Sequence, residues 1–331
     1  MSTQIFGTFG PACASEEVLK KMIAAGMTGM RLNLSHTTLE NSAYDIECYQ
    51  NAAKTYGVNP QILIDMRGPE LRVGRMKETV MIDESLTDLS IIPIPQEVLE
   101  VLEIGDQILL DDGKILLEVE GKDEEDWNKE KRNISVCVHR GGTLQSGKSI
   151  KVIGKQIAMP PLTPHDIENI KVASKYGVTA LMQPFVQDGE ALRQVRETLK
   201  IHGAEGVQIF AKIENRIGVE NLESILPEAD VIVIARGDLG NDMPLWELPK
   251  IQKQIEMICK RHKKPYVVVT QMLASMEENP IPTRAEVSDI YHAVYHGAWG
   301  VMLTGETAVG KYPVEAIQYI TKTVEQAEQS L

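Results

Sequence analysis

Eight short apolar runs, each followed by a stretch of helical character, constrain this chain more than any other feature. Three come early, at residues 4–9, 28–35 and 61–65. Five come after residue 160, at 180–186, 207–213, 231–235, 266–270 and 301–304. Runs such as Gln208-Ile209-Phe210-Ala211 and Val231-Ile232-Val233-Ile234 are nearly unbroken, the pattern of strands covered on both faces of a parallel sheet. Helix signals fall between them: Ser15 ahead of Glu16 and Glu17 reads as a cap with an acidic first turn, and Gly26 as its stop. Thr163-Pro164 reads as a cap followed by a proline in the first turn. Eight such units are the count of a closed parallel barrel, so the expected fold class is α/β, a (β/α)8 TIM barrel. An open doubly wound sheet is the alternative, but the chain has no G-x-G-x-x-G fingerprint to support it.

Between residues 73 and 159 the texture changes to short alternating stretches with a turn at Asp111-Asp112-Gly113, an all-β signature. The polar run from Asp123 to Arg132 reads as a solvated hairpin loop. The expected organisation is therefore a barrel catalytic domain from 1–72 and 160–331, with a small β-barrel lid inserted at 73–159. A chain of 331 residues is ample for both. Its net charge of −13, without a basic run, argues against nucleic acid as a partner. No apolar run is long enough to span a membrane, and the mean hydropathy is −0.15. Met1-Ser2-Thr3-Gln4 is too short for a charged n-region and apolar h-region. The four cysteines lack C-x-x-C spacing, which fits a reducing cytoplasm rather than a zinc site or disulfide framework.

Chemistry gathers where the apolar runs end. Lys212 and Glu214 alternate onto one side of their strand, and Arg236 and Asp238 close the next one. Barrels place their sites at these carboxyl ends. One Lys-x-Glu could be an ordinary salt bridge, but a second carboxylate at the neighbouring strand end suits a Mg²⁺ ion shared with an anionic substrate. Gly237 and Gly240 let backbone N–H groups approach such an anion. The strand ends together offer Thr8, Arg31, Asn33, Ser35, Asp65, Arg72, Lys212, Glu214, Asp238, Thr270 and Glu306. Cations, a carboxylate pair and hydroxyls in one place suit phosphoryl transfer, which depends on positioning and charge neutralisation.

These residues lie in segments that resemble the pyruvate kinase family along nearly the whole chain. Thr8-Phe9-Gly10-Pro11 is similar to the family's T-I-G-P-A, Arg31-Leu32-Asn33-Leu34-Ser35-His36 to R-L-N-F-S-H, and the segment from Asp65 to Arg72 to D-T-K-G-P-E-I-R. Lys212-Ile213-Glu214-Asn215 and the segment from Ala235 to Gly240 resemble its signature stretch. Thr270-Gln271-Met272-Leu273, the segment from Pro282 to Glu286, and Gly305-Glu306-Thr307-Ala308 resemble later motifs. The resemblance implies transfer of a phosphoryl group from phosphoenolpyruvate to ADP, giving pyruvate and ATP. It implies that Glu214 and Asp238 hold Mg²⁺ or Mn²⁺, and that Lys212 stabilises the transferring group. Arg31 would meet the substrate phosphate, Thr270 and the N–H groups of Gly237 and Asp238 its carboxylate, and Glu306 joins the catalytic set. Asn33, Ser35, Asp65 and the Met66 carbonyl would hold K⁺, with Glu70 where the family's potassium-dependent members carry a glutamate. Thr8, Pro11, His36, Arg72 and Lys148 would face the nucleotide.

The chain also departs from the family pattern, with Arg67 for a lysine, Met66 for a threonine, Pro184 for a serine, Arg216-Ile217 for His-Glu, Asp242 for a glutamate and Ile153 in the lid. Two other readings stay open: a metal-dependent lyase or aldolase acting on a pyruvate-like enolate, and a non-catalytic ligand-binding relative. Because the sequence stops at Leu331, where family members continue into an effector domain, no sugar-phosphate activation is expected. A homodimer is expected through residues 282–298, where Tyr291, Val294, Tyr295 and Ala298 fall at helical spacing near Trp299.

Overall fold

The structure, a computed structural model, describes residues 2–35, 37–111, 113–122, 134–155, 157 and 159–331. His36, Asp112 and the polar run at 123–132, each singled out in the sequence, lie outside the described residues. The chain divides into two compact units, one of Met1–Gly68 with Pro160–Leu331, the other Pro69–Met159.

The first unit is a closed barrel of eight parallel strands: β1 Gln4–Thr8, β2 Gly29–Asn33, β3 Gln61–Asp65, β4 Ala180–Gln183, β5 Gln208–Ile213, β6 Val231–Ala235, β7 Tyr266–Val269 and β8 Gly300–Met302. Each strand pairs with its neighbours in sequence, and β8 closes on β1 with Phe6 opposite Met302. The expected TIM barrel is thus the observed one. Ser15 caps helix Glu16–Ala24 through its hydroxyl, and Gly26 leaves it with φ +114°, the left-handed exit that favours glycine. Thr163 and Asp166 form a reciprocal capping box on helix Pro164–Val172.

Alternation along the strands sorts side chains into two layers. Inside the barrel lie Phe6, Leu63, Met182, Phe210, Val233, Val267 and Met302, packed with Trp299. Phe6, Phe210 and Trp299 pack mutually with ring centroids 6.0 to 6.3 Å apart, an aromatic plug that fills the interior. A second, larger core lies between the strands and the surrounding helices and includes Ile64, Ile209, Ile213, Ile234 and Val268. One step further along the inward-facing stripe, Leu63 gives way to Asp65 and Phe210 to Lys212, so charge begins where the apolar plug ends.

The inserted unit carries a four-stranded antiparallel sheet, ordered Ile134–Arg140, Ile115–Lys122, Gln107–Leu110, Ile150–Val152, and a two-stranded one of Val80–Ile82 with Gly142–Leu144. Among the described residues these are two separate sheets. Ile108, Leu110, Leu117, Val119, Val136 and Val152 give the unit its own core. It also contains a helix, Gln96–Val101, which the alternating pattern did not announce. The unit begins four residues before the change of sequence texture. Ile150 N donates to Leu71 O, Val73 N donates to Lys148 O, and Arg72 bridges Ser149, so the chain from Leu71 to Val73 pairs within the insertion. No helix among the described residues is long and apolar enough to cross a membrane.

Candidate active site

Lys212 is the hub of the barrel mouth. Its Nζ lies 2.8 Å from Glu214 Oε1 and 3.3 Å from Asp65 Oδ1. Asp65 also accepts hydrogen bonds from Arg31 Nε and Nη2, the first at 2.9 Å, and Arg31 Nη1 donates to Thr8 Oγ1 at 3.1 Å. The strand register explains the grouping, because Thr8 stands opposite Arg31 and Asn33 opposite Asp65. Burial disfavours charge on both Asp65 and Lys212, but their mutual attraction outweighs it. Asp65 is held below the usual carboxylate range by Lys212 and Arg31, and Lys212 above the usual lysine range by Asp65 and Glu214.

Glu214 is different. Burial raises its carboxyl, the Lys212 ammonium opposes that, and the Asp238 charge adds to it, leaving the group pushed up to about 7. Its Oε2 accepts from Phe185 N at 2.8 Å, while Oε1 is buried and, apart from its ion pair with Lys212, accepts no well-angled hydrogen bond. A buried carboxylate near enough to Asp238 to feel its charge fits a divalent cation. Among the described residues no three His, Cys, Asp or Glu side chains form a ligand cluster, so such an ion would take Glu214 and Asp238 and complete its shell from substrate and water. The donors predicted for a monovalent cation are all hard oxygens: the Asn33 amide, the Ser35 hydroxyl, the Asp65 carboxylate and the Met66 carbonyl. Asn33 Oδ1 already accepts from Ser35 N at 3.0 Å, folding that short segment around the strand end.

Thr270 follows β7 with φ +74°, and Gln271 follows it with φ +53°. A β-branched residue in this left-handed region is an outlier, and each such residue costs ~1–3 kcal/mol. Thr270 Oγ1 accepts from Gly237 N at 2.8 Å and donates to Val269 O at 2.6 Å. Two of the predicted carboxylate-binding groups, Thr270 and Gly237, therefore meet.

Other predicted residues take different places. Thr8, expected at the nucleotide, is 4% exposed. Its hydroxyl donates to Leu303 O at 2.8 Å and accepts from Arg31, so it braces the arginine. Glu306, expected in the catalytic set, is buried with Oε1 on Leu273 N and Oε2 on Thr304 N, tying the loops after β7 and β8 together. Pro11 is exposed at the start of a short 3-10 turn after β1. Arg72 and Lys148 belong to the inserted unit, where Arg72 pairs with Glu70 and Lys148 Nζ lies 2.9 Å from Asp111 Oδ1. Pro184 packs where a Cβ on Gly68 (φ +63°) would come within 2.4 Å of its ring, so proline and glycine fit each other at the foot of the loop after β3. Asp166 was read only as part of a helix start. It also accepts from the backbone N–H groups of Arg67 and Gly68 at 2.9 and 3.1 Å.

Fold and site together define a class: a (β/α)8 barrel interrupted after its third strand by a β-rich unit, with a buried lysine bridging carboxylates at the strand ends. Residues 1–317 match the family described as pyruvate kinase, barrel domain. The chain is 38% identical to the pyruvate kinases of Bacillus licheniformis and Geobacillus stearothermophilus, across 99% of this chain. It is 35% identical to that of Staphylococcus aureus strain MRSA252, across 98% of this chain. The chain belongs to the pyruvate kinase family. It spans 57% of the length of each of these relatives.

Proposed function

We propose that this chain is a phosphotransferase that moves a phosphoryl group from phosphoenolpyruvate to ADP. The observation that carries the reading is Lys212, a buried ammonium held between Asp65 and Glu214 beside the Arg31 guanidinium. The transfer breaks the bond between phosphorus and the enol oxygen and forms one to the terminal oxygen of ADP, and the released enolate takes a proton to become pyruvate. Its transition state spreads negative charge over the phosphoryl oxygens, and fixed cations already in place stabilise that charge without reorganising. Arg31 binds the substrate phosphate with the guanidinium donors that Asp65 and Thr8 leave over. Lys212 stays protonated and faces the moving group. The Asp238 N–H and the Thr270 hydroxyl, turned from Val269 O, receive the carboxylate, while the Gly237 N–H holds that hydroxyl in place, and Pro11 lies on the nucleotide side of the barrel mouth.

Glu214 and Asp238 would hold Mg²⁺ or Mn²⁺, which supplies Lewis-acid neutralisation of phosphoryl and enolate oxygens. Asn33, Ser35, Asp65 and the Met66 carbonyl would hold K⁺. Glu306 acts as a positioning residue for the loops that carry Thr270 and Thr304. The four cysteines are free, which suits a cytoplasmic enzyme, and the activity would serve glycolysis. For self-association, Val294 and Ala298 are buried in the chain's own core and Trp299 packs in the barrel interior. Tyr295, 47% exposed and stacked on Tyr291, remains as the aromatic face for a homodimer.

A coupled assay with phosphoenolpyruvate, ADP, Mg²⁺ and K⁺ tests the activity, and light scattering at micromolar concentration tests the dimer. Pyruvate formation that stops when either substrate or Mg²⁺ is omitted is the expected result. Absence of pyruvate with all components present overturns the reading, and a strict monomer overturns the dimer.

A further inference from the structure

We propose that Arg236 is a positioning residue that holds the left-handed Thr270–Gln271 turn in its substrate-binding shape. The inference rests on the proposed function for what Thr270 binds, but the latch itself rests on geometry alone. Arg236 follows β6 directly, and its side chain is only 10% exposed. Its Nε and Nη2 both donate to the Thr270 carbonyl, at 3.2 and 2.7 Å, and Nη2 also reaches Gln271 O at 3.3 Å. On its other edge Nη1 pairs with Asp289 of helix Arg284–Tyr295 at 2.5 Å. The next residue completes the grip, because Gly237 N donates to Thr270 Oγ1 at 2.8 Å. Residues 236 and 237 thus hold both the backbone and the hydroxyl of Thr270.

Physical chemistry explains why such a grip is needed. Two consecutive residues with side chains, one of them β-branched, sit at φ +74° and +53°, a conformation that persists only where the surroundings over-determine it. Arginine suits the task because its rigid fork can place two donors on one carbonyl while a third N–H faces a carboxylate. Lysine keeps the charge but lacks the fork. Arg236 itself is directed at the carbonyls of Thr270 and Gln271, at Met272 Sδ (2.9 Å from Nη2) and at Asp289, so its effect on substrate passes through the turn that carries Thr270.

The test compares wild type with Arg236→Lys and with Asp289→Asn, by steady-state kinetics and by hydrogen exchange at the Gly237 amide. Losing one charge-assisted hydrogen bond corresponds to a change of about tenfold or more. Arg236→Lys is therefore expected to raise the KM for phosphoenolpyruvate by about that factor, with the KM for ADP within about twofold. Gly237 exchange should quicken by a similar factor while the amides of β5 and β6 stay protected. Asp289→Asn keeps a hydrogen bond and removes a charge, so it should move the same quantities less, and it decides the matter if Arg236→Lys does not fold. A merely structural role would lower the active fraction, and with it kcat, and leave the KM for phosphoenolpyruvate unchanged. Wild-type Gly237 exchange in the folded variants overturns the latch. If the wild type neither binds nor turns over phosphoenolpyruvate, the proposed function falls, and the exchange measurement alone still decides the latch.

Discussion

Lys212 Nζ stands 3.3 Å from Asp65 Oδ1, so a lysine on β5 and an aspartate on β3 neutralise each other across the barrel mouth, over the intervening β4. Neither could remain charged there alone, since each is almost wholly buried. Replacing the lysine would remove the cation proposed to face the reacting phosphoryl group and leave Glu214 without its ion-pair partner. Lys212→Met should lower kcat by about 10³-fold, the scale for losing a preorganised charge aimed at the transition state. Thermal or urea unfolding should show a loss toward the lower end of the ~3–5 kcal/mol expected for breaking a buried pair, because Asp65 keeps Arg31. Near-normal kcat in a folded variant would remove Lys212 from the chemistry.

The raised Glu214 carboxyl gives a pH dependence with a definite sign. Burial, opposed by Lys212 and reinforced by Asp238, moves it from the ordinary 4.5 up to about 7. A group raised in the folded state contributes stability that is complete below its unfolded value and is lost as pH rises through its folded value. The metal-free protein should therefore lose this contribution between pH 4.5 and about 7. Mg²⁺ competes with that proton, so its apparent affinity should rise over the same interval and its stabilising effect should be larger at pH 8 than at pH 6. Asp238→Ala should remove both the Mg²⁺ dependence of turnover and the Mg²⁺ dependence of melting while the barrel stays folded. Mg²⁺ affinity that is flat across this interval would refute Glu214 as a ligand.

The barrel was legible in the sequence because strands such as Ile209 to Ala211 and Val231 to Ala235 are buried on both faces and leave unbroken apolar runs. Lys212, Glu214, Asp65 and Arg31 were legible because alternation alone puts charge where those runs end. Helix Gln96–Val101 was not, since six residues with one buried side chain, Val98, are too short to express a 3.6-residue period. Thr270 was read as a strand-end hydroxyl, but nothing in a β-branched residue announces a positive φ. That conformation is imposed from outside, by Arg236 and Gly237. Thr8 and Glu306 were read as strand-end groups facing ligands and here hydrogen-bond to Leu303 O, Arg31, Leu273 N and Thr304 N, because a hydroxyl or carboxylate at a strand end can face a ligand or a loop equally well in sequence.

A monovalent cation of about potassium's size should be required for full activity. Asn33 and Asp65 are register partners at the ends of β2 and β3, and together with Ser35 and the Met66 carbonyl they supply only oxygen donors. An anionic substrate beside acidic side chains leaves charge that a second cation offsets. Rates should fall to a small fraction when K⁺ is replaced by tetramethylammonium at equal ionic strength, and Asn33→Ala should weaken the K⁺ dependence before it weakens the Mg²⁺ dependence. Equal rates in the two buffers would show that these oxygens do not hold a functional cation.

Asp166 should couple that cation site to the stability of the barrel. It is fully buried, and its two oxygens accept from Thr163 N, Thr163 Oγ1, Arg67 N and Gly68 N. The Arg67 N–H and the Met66 C=O belong to one planar trans peptide and point in opposite directions, so holding the first fixes the aim of the second. Asp166→Ala keeps the Thr163 cap but removes the reciprocal half of the capping box and leaves buried N–H groups unsatisfied at ~1–3 kcal/mol each. A total loss of several kcal/mol is expected in urea unfolding. Asp166→Asn keeps one acceptor oxygen and should lose less stability, yet it changes the pairing at Arg67 and Gly68. In that folded variant the stabilisation of the melt by K⁺ should shrink while the stabilisation by Mg²⁺ stays within about twofold of wild type in apparent Kd, since RT ln(1 + [L]/Kd) reports each ligand separately. Equal loss of both ligand effects would mean that Asp166 holds up the barrel as a whole, and unchanged K⁺ stabilisation would mean that the Met66 carbonyl is no cation ligand.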